Sequence, residues 1–227
     1  MTANPGRVLI SGGASGLGAA IAEAVAAHGG IPLVLDKQAP SGPAEYRTVD
    51  VTDSAETERA VAELAADGLD AVVTAAGTDA CGALDQVSTA DWERVVRVNL
   101  IGTAAVVRAA LPALKRSHGR VVTVASTLGI RPAGDATAYC ASKFGVVGFT
   151  RALAMETAGE VGVTLLIPGG MQTHFFDDRP DQYKPGADAV LNRPQDVAAS
   201  VLHALSAPRG CEIRELVVCP DREPSWP

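Results

Sequence analysis

The sequence predicts an α/β fold: a doubly wound parallel sheet with helices on both faces. Three observations carry that prediction. Short apolar runs of strand length recur along the chain, among them Arg7–Ser11, Leu69–Ala75 and Arg120–Ala125. A run that is apolar throughout, rather than alternating, suits a strand buried on both faces. Segments with helical spacing separate those runs, beginning with Leu17, Ile21 and Val25, which recur every four residues as on one face of a helix. Finally, the first strand passes into the first helix through a glycine-rich turn, Gly12-Gly13-Ala14-Ser15-Gly16-Leu17-Gly18. A chain of 227 residues suits one domain, 1–227, with a substantial core.

The elements follow in order. After the strand at Arg7–Ser11, the glycines let the backbone turn tightly and approach a pyrophosphate closely. The helix N-terminus behind them supplies N–H donors and positive potential. The spacing here is G-x-x-x-G-x-G. Pro32–Asp36 reads as the second strand and ends in an acid. An acid at that point can accept hydrogen bonds from the ribose hydroxyls of an adenosine and repel a 2′-phosphate. Ser15, not a base, precedes Gly16, although Lys37 follows Asp36. Residues 38–44 are rich in Pro and Gly, so the link to a third strand near Tyr46–Val49 is short and helix-free. Asp50-Val51 ends that strand, where an adenine edge fits, and Asp53 starts a helix whose buried face includes Val61 and Leu64.

Leu69–Ala75 is a fourth strand closed by Ala76-Gly77, small residues that let a ligand lie against the backbone. Ser88-Thr89-Ala90-Asp91 is a capping pattern that opens a long helix containing one polar misfit, Asn99. That amide is either satisfied in the core or disturbs the helix hydrogen bonding near a site. Arg120–Ala125 is the fifth strand, with Ser126 at its C-terminal end, where open α/β sheets bind ligands. A helix carrying Tyr139 and Lys143 follows, then a sixth strand at Val161–Ile167 closed by Pro168-Gly169-Gly170. Residues 171–191 lack clean periodicity; a stretch of that length in a compact domain is expected to be a lid over substrate. Pro194–Leu205 returns to helix, Ile213–Cys219 is a final strand, and Pro220–Pro227 is a loop.

Composition narrows the function. The net charge is −7 without a basic cluster, which disfavours nucleic acid. No apolar run approaches the ~20 residues of a bilayer span and no signal-peptide pattern is present, so no membrane is expected and the expected location is cytoplasmic. The four cysteines, Cys81, Cys140, Cys211 and Cys219, form no metal-ligand set and read as reduced thiols.

The chemistry concentrates at 126–143: Ser126, then Tyr139 thirteen residues on, then Lys143 four further. One helical turn puts Tyr139 and Lys143 on the same face. An adjacent ammonium favours the phenolate, and a drop of roughly 2–3 units from the free Tyr value would bring the phenol within reach of neutral-pH acid–base work.

Taken together, Gly12…Gly16…Gly18, Asp50, Ala76-Gly77, Asn99, Ser126, Tyr139…Lys143 and Pro168-Gly169 resemble the short-chain dehydrogenase/reductase family of Rossmann oxidoreductases, from Ser11 to about Cys219. The resemblance implies a seven-stranded parallel sheet in the order 3-2-1-4-5-6-7. It implies a catalytic tetrad in which Tyr139 is the general acid or base, Lys143 binds the nicotinamide ribose and lowers the Tyr139 pKa, Ser126 bonds the substrate oxygen and Asn99 holds a relay water. It also implies a dinucleotide on Gly12, Ser15, Gly16, Leu17, Gly18, Asp36, Asp50, Val51, Ala76, Gly77, Tyr139, Lys143, Pro168, Gly169 and Thr173. NAD is the preferred cofactor, with NADP open. The implied activity interconverts a small-molecule secondary alcohol and ketone, a 3-oxoacyl-type ketoreductase being one form, in a homotetramer or homodimer. A silent NAD(P)-binding regulator or scaffold is the rival reading, against which stands the retention of Tyr139, Lys143 and Ser126. Two departures from the family pattern stand out. Thr74-Ala75-Ala76-Gly77 replaces the usual Asn-Asn-Ala-Gly, which implies weaker cofactor binding, and the helix after the second strand is missing.

Overall fold

The computed structural model describes residues 4–223, 225 and 226. The last two prolines of the tail expected at Pro220–Pro227, at 224 and 227, lie outside the described residues. Seven strands, β1 (Arg7–Ser11), β2 (Ile31–Asp36), β3 (Glu45–Thr48), β4 (Ala71–Thr74), β5 (Arg120–Val124), β6 (Gly162–Pro168) and β7 (Glu215–Val218), form one sheet. Its order is β3-β2-β1-β4-β5-β6-β7, and every neighbouring pair is parallel. Parallel neighbours need crossovers, and helices supply them on both faces: α1 (Gly16–Ala27), α2 (Ser54–Leu64), α3 (Thr89–Val96), α4 (Thr103–Ser117), α5 (Thr137–Glu156) and α6 (Pro194–Leu205).

Strand composition explains the layering. Alternate residues of each central strand enter opposite cores. Leu9, Leu33, Val72 and Val121 pack with α2 and α4 residues such as Val61, Leu64, Val106 and Leu114. Val8, Ile10, Val34, Val73 and Val122 pack with Ile21 and Val25 of α1 and Val197 and Val201 of α6. The register aligns Ser11 with Thr74 and Thr74 with Thr123, so three adjacent strands end together and open one ligand-facing edge.

Local signals set the helix starts. Asp53 caps α2 by accepting from the Glu56 N–H at 2.9 Å. The Ser88 hydroxyl accepts from the Asp91 N–H at 3.1 Å and donates to its carboxylate at 2.7 Å, satisfying orphan donors at the start of α3. No helix joins β2 to β3, since residues 37–44 run as a loop.

One expectation is corrected. α3, a π-helical turn (Arg97–Gly102) and α4 run on as one helix, Thr89–Ser117, of 29 residues with a mean hydropathy of 1.4 in its most apolar window, long and apolar enough to cross a bilayer. The scattered arginines Arg94, Arg97 and Arg108 break the linear sequence into shorter apolar pieces. In the fold Val95, Val106, Val107, Ala110 and Leu114 are buried, so this is a core helix packed against the sheet.

Candidate active site

The glycine turn between β1 and α1 has the geometry its composition demands. Gly12 has φ +72°, and a Cβ there would lie 2.5 Å from the Ala76 backbone nitrogen; only glycine accepts both the angle and the approach. Gly16 has φ +52°, and a Cβ at Gly18 would lie 2.0 Å from the Gly12 carbonyl oxygen. Leu17 anchors the turn by burying its side chain in the core. Ser15 is the N-cap of α1, yet its side chain makes no capping bond, which leaves helix N–H donors facing outward. Thr173 stands across the turn, its methyl 3.4 Å from where a Gly16 Cβ would be.

On the flank of the turn, the Asp36 carboxylate accepts from the Ala14 N–H at 3.0 Å and the Gln38 N–H at 3.1 Å. Each oxygen keeps a lone pair for another donor. Lys37 turns away to pair with Asp50 at 2.8 Å. Burial pushes the Asp50 carboxyl up, but bonds from Lys37 and Thr52 outweigh it and hold the group below its ordinary value. The Val51 side chain is buried against Gly102, where a Cβ would lie 2.8 Å from a Val51 methyl, so Val51 has only its backbone to offer a ligand.

The polar cluster forms where β4, β5 and α5 meet. Lys143 is buried and donates to the Val124 carbonyl at 2.9 Å. Asn99 lies in the π turn, where the widened backbone sets it against the β4 end. Its amide accepts from the Thr78 N–H at 2.8 Å and donates to the Thr78 carbonyl at 2.9 Å and to the Ser142 hydroxyl at 3.0 Å. Ser142 in turn donates to the Tyr139 carbonyl at 2.8 Å. A Cβ on Gly77 would sit 3.6 Å from the Asn99 carboxamide oxygen and 3.9 Å from the Lys143 nitrogen. Gly77 therefore lies beside both groups, next to Ala76, which packs on the core. Ser126 lies two residues past β5, its hydroxyl accepting from the Leu128 N–H at 3.1 Å and its side chain favouring the Tyr139 phenolate. These residues, the glycine turn and the Asp36 carboxylate lie at the C-terminal ends of the strands. An open turn with free helix donors and an acid beside it fit a dinucleotide.

Electrostatics correct one expectation. Lys143 lies 5.6 Å from the Tyr139 ring centroid, as the helical spacing requires, but the phenol is not lowered. Burial pushes it up to about 12, with the Ser126 bond opposing and Asp79 adding to the rise. The same burial drops Lys143 to about 8. Desolvation penalises both charged forms.

Pro168 ends β6, and Gly169 donates to the Val218 carbonyl at 2.9 Å. A Cβ on Gly169 would strike the Glu223 carboxylate at 2.3 Å, because Glu223 folds back to accept from the Gly170 N–H at 3.1 Å. In segment 171–191, two short 3₁₀ turns, His174–Phe176 and Asp181–Tyr183, present Phe175 5.8 Å from the Tyr139 ring. Sequence reasoning missed two residues here. Asp79, after β4, is 5% exposed and pairs at 2.5 Å with Arg179 of the segment. Neither stands in a recognisable spacing; 100 residues separate them. All four cysteines are free.

A family model described as short chain dehydrogenase matches residues 7–184. The chain is 32% identical over 219 residues to 2,5-dichloro-2,5-cyclohexadiene-1,4-diol dehydrogenase LinX of Sphingobium indicum, covering 87% of this chain and 88% of that one. It is 34% identical over 182 residues to D-beta-hydroxybutyrate dehydrogenase of Cupriavidus necator, covering 73% and 70%. Among solved structures, ligand-free aldohexose dehydrogenase of Thermoplasma acidophilum superposes with a TM-score of 0.85 at 22% identity, covering 94% of this chain and 92% of that one.

Proposed function

Because this chain belongs to the short-chain dehydrogenase/reductase family and is an NAD(P)-dependent oxidoreductase of alcohols and ketones, we propose that Tyr139, Lys143, Ser126 and Asn99 are its catalytic residues and that NAD is its preferred cofactor. The observation that carries the reading is the grouping around Tyr139: Lys143 lies 5.6 Å from its ring centroid, Ser126 acts on its phenol, and Asn99 is linked to its backbone through Ser142. A bound nicotinamide dinucleotide supplies the hydride acceptor or donor. The protein handles the proton: Tyr139 gives it to, or takes it from, the substrate oxygen, and Ser126 orients that oxygen. Lys143 binds the nicotinamide ribose. The π turn fixes Asn99 beside Lys143, where it supports a relay water. Gly12, Ser15, Gly16, Leu17 and Gly18 cradle the pyrophosphate. Asp50 and Val51 flank the adenine, Ala76 and Gly77 underlie the cofactor, and Pro168, Gly169 and Thr173 border the nicotinamide.

Asp36 supports NAD. Its carboxylate sits beside the turn with acceptor capacity to spare, and Lys37, the nearest cation in sequence, is already paired with Asp50. Segment 171–191 is the lid of a single domain, and Phe175 and Phe176 give it an apolar wall suited to a partly hydrophobic secondary alcohol or ketone. A 3-oxoacyl group falls within that class. The two relatives named for a ring diol and a hydroxybutyrate agree with a small hydroxylated substrate. Exposed Ile101 and Phe144 support a homotetramer or homodimer, and four free thiols suit the cytoplasm.

The test follows absorbance at the NADH band with a panel of secondary alcohols and ketones, using NAD(H) and NADP(H) in parallel. Turnover with at least one pair, faster with NAD(H), is expected; no turnover across a broad panel with either cofactor would reject the reading.

A further inference from the structure

We propose that Arg179 and Asp79 are positioning residues for the proton transfer: their ion pair holds segment 171–191 against the wall of the site and makes Arg179 the counter-ion of the charge beside Tyr139. This rests on the reading of Tyr139 as the proton-transfer residue.

The pair is built into the wall. Asp79 is 5% exposed, and a buried carboxylate requires partners. One oxygen accepts from the Ala80 N–H at 2.7 Å; the other accepts from the Cys81 thiol at 3.2 Å and from Arg179 at 2.5 Å. The guanidinium lies 5.2 Å from the Phe175 ring centroid and 4.6 Å from that of Phe176, a cation–π arrangement that reaches Tyr139 through Phe175, 5.8 Å away. A second staple lies close by. The Tyr183 hydroxyl donates to the Asp135 carboxylate at 3.0 Å, and the Asp135 carbonyl accepts from the Gly82 N–H at 2.8 Å. Both contacts tie the segment to the same wall.

An apolar contact would close a segment at least as well as a buried ion pair, whose desolvation offsets most of its attraction. A charge pair here has a second consequence, its field. The charged or titratable groups facing Tyr139 are Asp79 on the wall, Arg179 on the segment, and Cys140 and Lys143 on its own helix, with Cys81 and Asp135 beside Asp79. Asp79 disfavours the phenolate and Arg179 favours it; Asp79 also favours the ammonium of Lys143. With the segment docked, Arg179 offsets part of the carboxylate's field at Tyr139. With the guanidinium neutralised in place, Tyr139 faces Asp79 without that offset and is a weaker acid.

The experiment uses the full chain as Arg179→Gln, Asp79→Asn, the double variant and Arg179→Lys. Hydrogen exchange of peptides from 171–191 reads the docking, and the pH profile of kcat/KM for alcohol oxidation reads the field. Both neutralising single variants should exchange about tenfold faster or more in that segment. The inflection should rise by about one pH unit in Arg179→Gln, fall by about one in Asp79→Asn, and return toward wild type in the double variant. Arg179→Lys keeps the charge and should keep the wild-type inflection although it loses the planar stacking. Unchanged exchange in both neutralising variants, or inflections that move in the same direction, would overturn the proposal. Absence of wild-type turnover would instead reject the role of Tyr139, and hydrogen exchange would then decide the pair alone.

Discussion

The Lys143 ammonium donates to the Val124 carbonyl at 2.9 Å, two residues before Ser126 on the strand that the Tyr139 helix packs behind. This one bond ties the cation of α5 to the end of β5. It fixes the height of Lys143 beside Gly77, and the burial that goes with it sets its titration.

Stability should carry the signature of that burial. Lys143 titrates at about 8 in the fold against 10.5 for the free group. Between those values the unfolded chain holds a proton that the folded chain has lost, so the Lys143 contribution to stability rises as pH increases from about 8 to 10.5. Tyr139 acts oppositely: raised from 10 to about 12, it costs stability as pH climbs through that interval. Lys143→Met should abolish the rise in the lower window, as read by urea denaturation across pH. A wild-type profile in the variant would show that Lys143 is not desolvated.

Cofactor choice should follow Asp36. Removing its charge in Asp36→Ala takes away repulsion of a 2′-phosphate, and the NADP/NAD ratio of kcat/KM should rise by about tenfold. An unchanged ratio would assign the selection to another group.

The missing strand-end amides leave a mark in the core. Thr74 stands where the family usually has Asn, and its buried hydroxyl has no partner among the described residues. Its register neighbour Thr123 bonds the Thr150 hydroxyl at 2.6 Å instead. Thr74→Val keeps the shape and removes the unmet polar group. It should stabilise the fold by about 1 kcal/mol and raise Tm by about 2–4 °C; a lower Tm would mean that the hydroxyl is satisfied.

Ser142 joins Asn99 to the Tyr139 backbone through bonds of 3.0 and 2.8 Å. Ser142→Ala should lower kcat by about tenfold with KM little changed. A loss confined to KM would place Ser142 in substrate binding instead.

Nearly every element was legible in the sequence because buried parallel strands and amphipathic helices have distinct apolar periods, and the caps Asp53 and Ser88 announce their helices; the sheet order came from the family resemblance. The polar interruption at Asn99 was legible as a disturbance in the helix. Its cause, the π turn at Arg97–Gly102, depends on backbone hydrogen bonding that no side-chain pattern encodes. The Tyr139 pKa could not be read from spacing: sequence gives the Lys143 neighbour and its sign, but burial, which wins, is a tertiary property. The pairing of Asp79 with Arg179 was hidden for the same reason. Its partners lie in two loops brought together only when segment 171–191 folds over the strand ends.

The central claim is that Tyr139 moves the proton. The most direct measurement compares wild type and Tyr139→Phe for NADH binding by fluorescence and for turnover of the best substrate pair. Binding should persist while kcat falls by about 10²–10⁴. Turnover in Tyr139→Phe within a few-fold of wild type would contradict that claim.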